Sequence, residues 1–81
     1  MITGVDIPDA LIDLERAAEI EQARLIGLIG RPYEEQWQTW RAAASTAQAA
    51  ITEYAEATGL DWYDVEQAVK RAVHHREDPA G

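Results

Sequence analysis

Several residue types are missing or rare in this 81-residue chain. It has no cysteine and no phenylalanine, and only one serine and one lysine. Without cysteine, neither a disulfide nor a thiolate metal site can add to the stability of the fold. No apolar run approaches the roughly 20 residues that a bilayer crossing requires. The length predicts one small helical domain over residues 1–81, with a modest hydrophobic core.

The residue combinations that support catalysis are also absent from the sequence. Ser45 falls on the polar face of a predicted helix, and no histidine is near it in sequence. His74 and His75 are adjacent, so their side chains would point about 100° apart on a helix and would not share a metal ion. The chain has no glycine-rich phosphate-binding loop. We therefore predict no enzyme activity, no cofactor, and no catalytic, metal-binding or cofactor-binding residues.

The net charge of −8 disfavours nucleic acid as a partner, because phosphate affinity comes from lysine and arginine side chains. Six of the seven basic residues are arginine and alanine is abundant, a bias typical of GC-rich bacterial genomes. Residues 1–9 lack the basic start of a secretory signal and contain two aspartates. These features predict a cytoplasmic bacterial protein that has no membrane partner.

The longest periodic stretch predicts a helix over residues 32–58. Its apolar residues recur in alternating steps of four and three, the spacing of a helix packed against another helix. This seam consists of Tyr33, Trp37, Trp40, Ala44, Ala47, Ile51, Tyr54 and Thr58. Tyr33, Trp37 and Trp40 are candidates for a ligand site, but at this spacing a core role is favoured. Gly59 is predicted to end the helix.

An earlier helix is predicted over residues 8–29, with Asp6 as its N-cap and Gly30 as its stop. Its main apolar face comprises Ile7, Leu11, Leu14, Ala18, Leu25, Leu28 and Ile29. A second apolar stripe comprises Ile12, Ile20, Ala23 and Ile26. A hairpin needs only one face, so the second stripe would receive either the third helix or a second subunit. We assign it as a candidate oligomer interface.

A third helix is predicted over residues 62–76, with Asp61 as its N-cap. Only about two residues would link the first two helices, which forces them to lie antiparallel. The predicted fold class is therefore all-α: a long antiparallel helical hairpin plus a shorter third helix. The predicted tails are residues 1–6 and 77–81. Trp62 and Tyr63 point to opposite sides of the third helix, and we expect Tyr63 to be the exposed one.

The sharpest local pattern lies at the corner between the second and third helices, over residues 51–70. Ala55 is a small residue in the first helix of the corner, and Gly59 marks the turn four residues later. Leu60, Val65 and Val69 are the apolar residues that follow. In this spacing the segment resembles the helix-turn-helix of bacterial and phage repressors. The resemblance implies a DNA-binding function for the third helix.

Two surfaces of this corner are candidates for binding a partner. The resemblance implies DNA contacts by Tyr63, Gln67, Lys70 and Arg71. However, the carboxylates of Asp61, Asp64 and Glu66 lie in the same region and repel phosphate. The candidate residues facing a protein partner are Tyr63, Asp64 and Gln67.

These observations favour a non-enzymatic helical module for protein–protein interaction or regulation, with a second copy of the chain as the expected partner. The alternative is a DNA-binding transcriptional regulator that uses the helix-turn-helix-like segment 51–70.

Overall fold

Three α-helices make up most of residues 7–77, the part of the chain that the computed structural model describes. Helix α1 spans Asp9–Ala23, α2 spans Gly30–Thr58 and α3 spans Trp62–Glu77. Helix α1 packs most extensively on α2, and α3 packs on both. The predicted all-α hairpin with a shorter third helix is confirmed. Within the described residues, no helix combines the length and the apolar character that crossing a membrane requires.

Side-chain pairs show how α3 runs relative to α1. The Lys70 Nζ donates a 2.8 Å hydrogen bond to Glu15 Oε2, and one turn further along both helices His74 Nε2 lies 3.3 Å from Glu19 Oε1. Because both residue numbers increase together, α1 and α3 run parallel. Helix α2 runs in the direction opposite to both, so α3 folds back toward the connection that joins α1 to α2.

Helix α1 ends at Ala23, well before residue 29, so the predicted C-terminal part of this helix was wrong. A hydrogen bond from α2 satisfies a main-chain carbonyl in the last turn of α1. The amide Nε2 of Gln36 donates a 2.7 Å hydrogen bond to the main-chain carbonyl of Glu21, a group that a helix end leaves free. Gly27 then adopts φ 84°, a left-handed conformation incompatible with a continuing helix. Residues 24–29 therefore form the connection, which is longer than the two residues predicted.

Helix α2 is longer than predicted at its start and ends where the sequence indicates. Gly30, predicted as the stop of the first helix, is instead the first residue of α2, with φ 66°. At the other end, Gly59 adopts φ 74° and the Leu60 N–H donates a 3.1 Å hydrogen bond to the Ala55 carbonyl. This arrangement closes the last helical turn and confirms the predicted stop at Gly59.

The helix N-termini differ in how they are capped. The carboxylate of Asp61 accepts a 3.3 Å hydrogen bond from the Asp64 N–H, which confirms Asp61 as the N-cap of α3. Helix α1 has Pro8 at its N-cap position and no side-chain cap. The predicted N-cap Asp6, the tail at residues 1–6 and residues 78–81 lie outside the described residues. Glu77, predicted as tail, is the last residue of α3.

The core lies where the three helices meet, at the end opposite the connection. Its fully or nearly buried apolar residues are Leu11, Ile12, Ala18, Ala47, Ile51, Ala55, Val65, Val69 and Val73. The predicted α2 seam is thus buried at Ala47 and Ile51, half-buried at its tryptophans, and exposed at Tyr33 and Thr58. Its N-terminal turns are less covered because α1 has only 15 residues against the 29 of α2.

Candidate functional site

Large apolar side chains are exposed at the end of the molecule where α1 connects to α2. Ile26 and Ile29 are 84% and 83% exposed, and Ile20 and Tyr33 are 44% and 40% exposed. Ile20 belongs to the last turns of α1, Ile26 and Ile29 to the connection, and Tyr33 to the first turn of α2. We call these four residues the apolar hairpin end.

The backbone of the connection holds these side chains outward. After Ala23 the chain forms two tight turns. The Ile26 N–H donates a 3.2 Å hydrogen bond to the Ala23 carbonyl, and the Leu28 N–H donates a 3.1 Å hydrogen bond to the Leu25 carbonyl. Ile29 is extended, with φ −140° and ψ 161°, immediately before α2. Local hydrogen bonds thus order the connection while leaving the side chains of Ile26 and Ile29 in solvent.

An aromatic hollow adjoins the apolar hairpin end on α2. It has a volume of about 310 Å³ and is lined by Tyr33, Glu34, Trp37 and Gln38. The Trp37 and Trp40 rings meet edge to face, with their centroids 6.3 Å apart. The guanidinium of Arg41 lies 5.3 Å from the centroid of the Trp37 ring, within range of a cation–π contact. These contacts hold the aromatic side chains in fixed positions beside Tyr33.

Charges around the apolar hairpin end balance, in contrast to the rest of the chain. Residues 20–41 carry three arginines and three glutamates. Two of these arginines make local pairs, Arg24 with Glu21 at 3.4 Å and Arg31 with Glu35 at 3.8 Å. The acidic side chains of residues 42–75 outnumber the basic ones there by five to two. Residues 20–41, which include the apolar hairpin end, therefore form a neutral segment in a chain of net charge −8.

A second group of polar side chains lies between α1 and α3. Glu15 is only 5% exposed, and its carboxylate accepts a hydrogen bond from the Nζ of Lys70 at 2.8 Å. The carboxylate of Glu15 raises the pKa of Lys70 through this hydrogen bond, while partial burial of the amine opposes the rise. Nearby carboxylates of Glu66 and Glu19 also raise it. The amine therefore stays protonated and neutralises a carboxylate that the core has removed from water.

A cleft of about 250 Å³ opens beside this pair. Its lining consists of Glu15, Ala18, Glu19, Gln22, Trp40, Ala44, Gln48 and Lys70. A neighbouring hollow of about 530 Å³ extends past His74 to Ala23 and Ile26. Within residues 7–77, no three histidine or carboxylate side chains converge as a metal site would require. The cleft contains carboxylates and an amine that is already paired with Glu15. This pair can hold α1 and α3 in their packed positions.

The residues that the sequence singled out on α3 lie in different environments. Tyr63 is 61% exposed, as predicted, and Asp64 is exposed beside it, while Gln67 is half-buried. Lys70 is turned toward Glu15 of α1. Arg71 is exposed. Of the two basic residues proposed for DNA contact, therefore, one is already engaged within the chain.

The structure divides the predicted oligomer stripe. Ile12 is buried within the chain, so it does not offer the predicted exposed surface to a second subunit. Ile20, Ala23 and Ile26 remain exposed. Ile29 was expected in the core but is exposed, since α1 stops before it.

Sequence reasoning also missed that Glu15 is buried. The signal was present, because Glu15 stands four residues after Leu11 and three before Ala18, both of which are buried. That spacing places it on the core face of α1. Its partner could not be read from sequence, since Lys70 lies 55 residues away.

None of the comparisons with known proteins finds a relative: no family model, no curated protein and no solved structure matches this chain.

Proposed function

We propose that this chain is a non-enzymatic helical module that acts by binding another protein, and that the apolar hairpin end is the binding surface. The observation that carries the proposal is the exposure of Ile26 and Ile29, at 84% and 83%. Single exposed apolar residues are common, but a group of large ones at one end is typical of an interaction site.

The energetics favour covering this surface. Burying one isoleucine side chain contributes roughly 1.5–3 kcal/mol. Ile26 and Ile29 lie on a short connection whose main chain is hydrogen-bonded, so little conformational entropy remains to be lost when a partner docks. The aromatic side chains of Tyr33 and Trp37 extend the same surface along α2. An anchored apolar group beside aromatics is the arrangement that protein interfaces use at their centres.

The helix corner gives less support to the alternative, a DNA-binding regulator. The amine of Lys70 is held at 2.8 Å from Glu15, and the exposed first turn of α3 carries Asp64. A duplex would have to compete with an internal ion pair and approach an acidic surface. Composition and charge support a setting in the cytoplasm of a bacterium, which we include in the proposal.

Photo-crosslinking in cells that naturally encode the chain tests the proposal. A benzophenone amino acid replaces Ile29 in one variant and Glu56, an exposed residue near the other end of α2, in a matched control. We expect light-dependent adducts with protein from position 29 and few from position 56. Absence of adducts at position 29, or equal yields at both positions, would contradict the proposal.

A further inference from the structure

We infer that the partner at the apolar hairpin end is a second copy of this chain, docked end to end. The inference rests on the proposed function, since it names the occupant of the same surface. Three properties of the described residues carry it: the distribution of charge, the presence of both signs of charge around the surface, and the burial of Ile12, which interrupts the stripe predicted along α1.

The charge distribution favours an end-to-end contact. A copy of a chain with net charge −8 repels another copy, so association requires that the acidic parts stay apart. The exposed acidic residues Glu53, Glu56, Asp61 and Asp64 lie around the helix corner, at the far end of α2. Gly30 and Glu53 are about 35 Å apart at 1.5 Å per residue. That separation is several times the screening length of about 8 Å in physiological salt.

The surface itself is suited to a contact between identical molecules. A two-fold contact brings each residue close to different residues of the same patch on the other copy, so the patch must be complementary to itself. Around the apolar hairpin end, arginine and glutamate alternate: Glu21 with Arg24, and Arg31 with Glu35. Arg31 and Glu35 are mostly exposed and pair with each other at 3.8 Å. They can therefore exchange partners across a two-fold axis.

The apolar stripe predicted along α1 is not exposed over its whole length. Ile12 is 6% exposed and belongs to the core, so the stripe predicted from the sequence is interrupted near its start. The exposed residues of that stripe, Ile20, Ala23 and Ile26, are those nearest the connection. Together with Ile29 and Tyr33 they define a contact at the end of the molecule.

Light scattering coupled to gel filtration of the purified full chain tests the inference. We expect a concentration-dependent dimer with twice the 9.0 kDa mass of the chain. Ile26→Glu with Ile29→Glu should raise the dissociation constant by at least about tenfold. The matched control is Leu60→Glu with Tyr63→Glu, which changes two exposed apolar residues at the other end and should leave the dimer intact. Circular dichroism checks that both double variants remain helical.

A second pair of variants tests the role of charge. Arg31→Glu makes the neutral end acidic and should weaken the dimer, more strongly at low salt than at high salt. Arg71→Glu makes the same change of charge on an exposed residue of α3 and should leave the dissociation constant within about twofold.

The outcomes separate this inference from the proposed function. A strict monomer up to high micromolar concentration, or a dimer that survives Ile26→Glu with Ile29→Glu, overturns the second copy as the partner at the apolar hairpin end. If that result accompanies crosslinks from position 29 to a different protein, the proposed function stands and only the identity of the partner is wrong. If crosslinks from position 29 are absent as well, both fail.

Discussion

Glu15 and Lys70 form an ion pair at the edge of the core. Glu15 is 5% exposed and lies among apolar residues, where an unpaired carboxylate is costly. Lys70 supplies the opposite charge at 2.8 Å while its side chain remains 39% exposed. The pair joins α1 to α3, so it favours the parallel arrangement of these two helices over other ways of packing them.

Removing the amine should destabilise the fold because the carboxylate would stay buried. We expect Lys70→Met to lower the free energy of unfolding by about 1–3 kcal/mol, below the range for fully buried pairs because solvent reaches Lys70. Urea denaturation measures the change. Arg71→Met, a neighbouring exposed position, should stay within about 0.5 kcal/mol of the wild type. Equal effects of the two substitutions would mean that the pair contributes little.

The same pair predicts how stability depends on alkaline pH. The carboxylate of Glu15 raises the pKa of Lys70 above its ordinary value of 10.5, so the folded chain holds this proton more tightly than the unfolded chain. The resulting stabilisation is complete below pH 10.5 and is lost as the pH rises through the folded pKa. In urea titrations, the stability difference between the wild type and Lys70→Met should shrink at alkaline pH. A difference that stays constant or grows would contradict this.

Among the helix boundaries, the end of α2 and the start of α3 are each determined by a residue at the boundary itself. Gly59 at φ 74° ends α2, and Asp61 caps α3 two residues later. A Cβ atom added at Gly59 would meet no atom within 4 Å, so a substitution there acts through the backbone conformation alone. This corner sets the direction in which α3 returns along α1.

Substitutions at Gly59 should follow the preference of each residue for the left-handed conformation. Gly59→Ala is expected to cost about 1–2 kcal/mol of unfolding free energy. Gly59→Asn should cost less, because asparagine tolerates this conformation better than alanine. Thermal or urea unfolding distinguishes the two. If alanine proves as stable as glycine, the left-handed turn is not required for the corner.

The boundaries that sequence reasoning found are those with a local cause. Gly59 and Asp61 are recognisable by residue type, and the structure confirms both. The end of α1 involves a tertiary contact as well as the left-handed Gly27, since Gln36 of α2 donates a hydrogen bond to the carbonyl of Glu21. Apolar residues at Leu25 and Leu28 continue the helical period past that point, so periodicity alone extends the helix too far.

The sequence did not predict the whole candidate site, again because part of it depends on tertiary contacts. Ile12 is buried within the chain, and the sequence pattern left open whether its stripe would be covered by the third helix or by a second subunit. Exposure of Ile29 depends on where α1 stops. Sequence reasoning identified Ile20 and Ile26 as unpartnered apolar residues, and the structure leaves both exposed. It did not place them beside Ile29 and Tyr33, because that grouping requires the shape of the connection.

The whole molecule is elongated and chemically asymmetric. It measures 49 Å along its longest axis and 17 Å along its shortest. One end carries the helix corner, the buried core and most of the exposed acidic side chains. The other carries the apolar hairpin end, within a segment (residues 20–41) whose charges balance. In the proposed dimer this second end binds a second copy of the chain, which leaves the acidic ends pointing apart.

Distances between spin labels on the two copies test this arrangement most directly. Because the chain has no cysteine, Thr39→Cys and Glu56→Cys each provide one labelling site on an exposed residue of α2. These positions are about 26 Å apart along the helix, with residue 39 nearer the apolar hairpin end. We predict a dipolar signal between copies at short distance for the label at residue 39, and a distance longer by tens of ångströms for the label at residue 56. A shorter distance at residue 56, or no interaction between copies from either label, would contradict the end-to-end dimer.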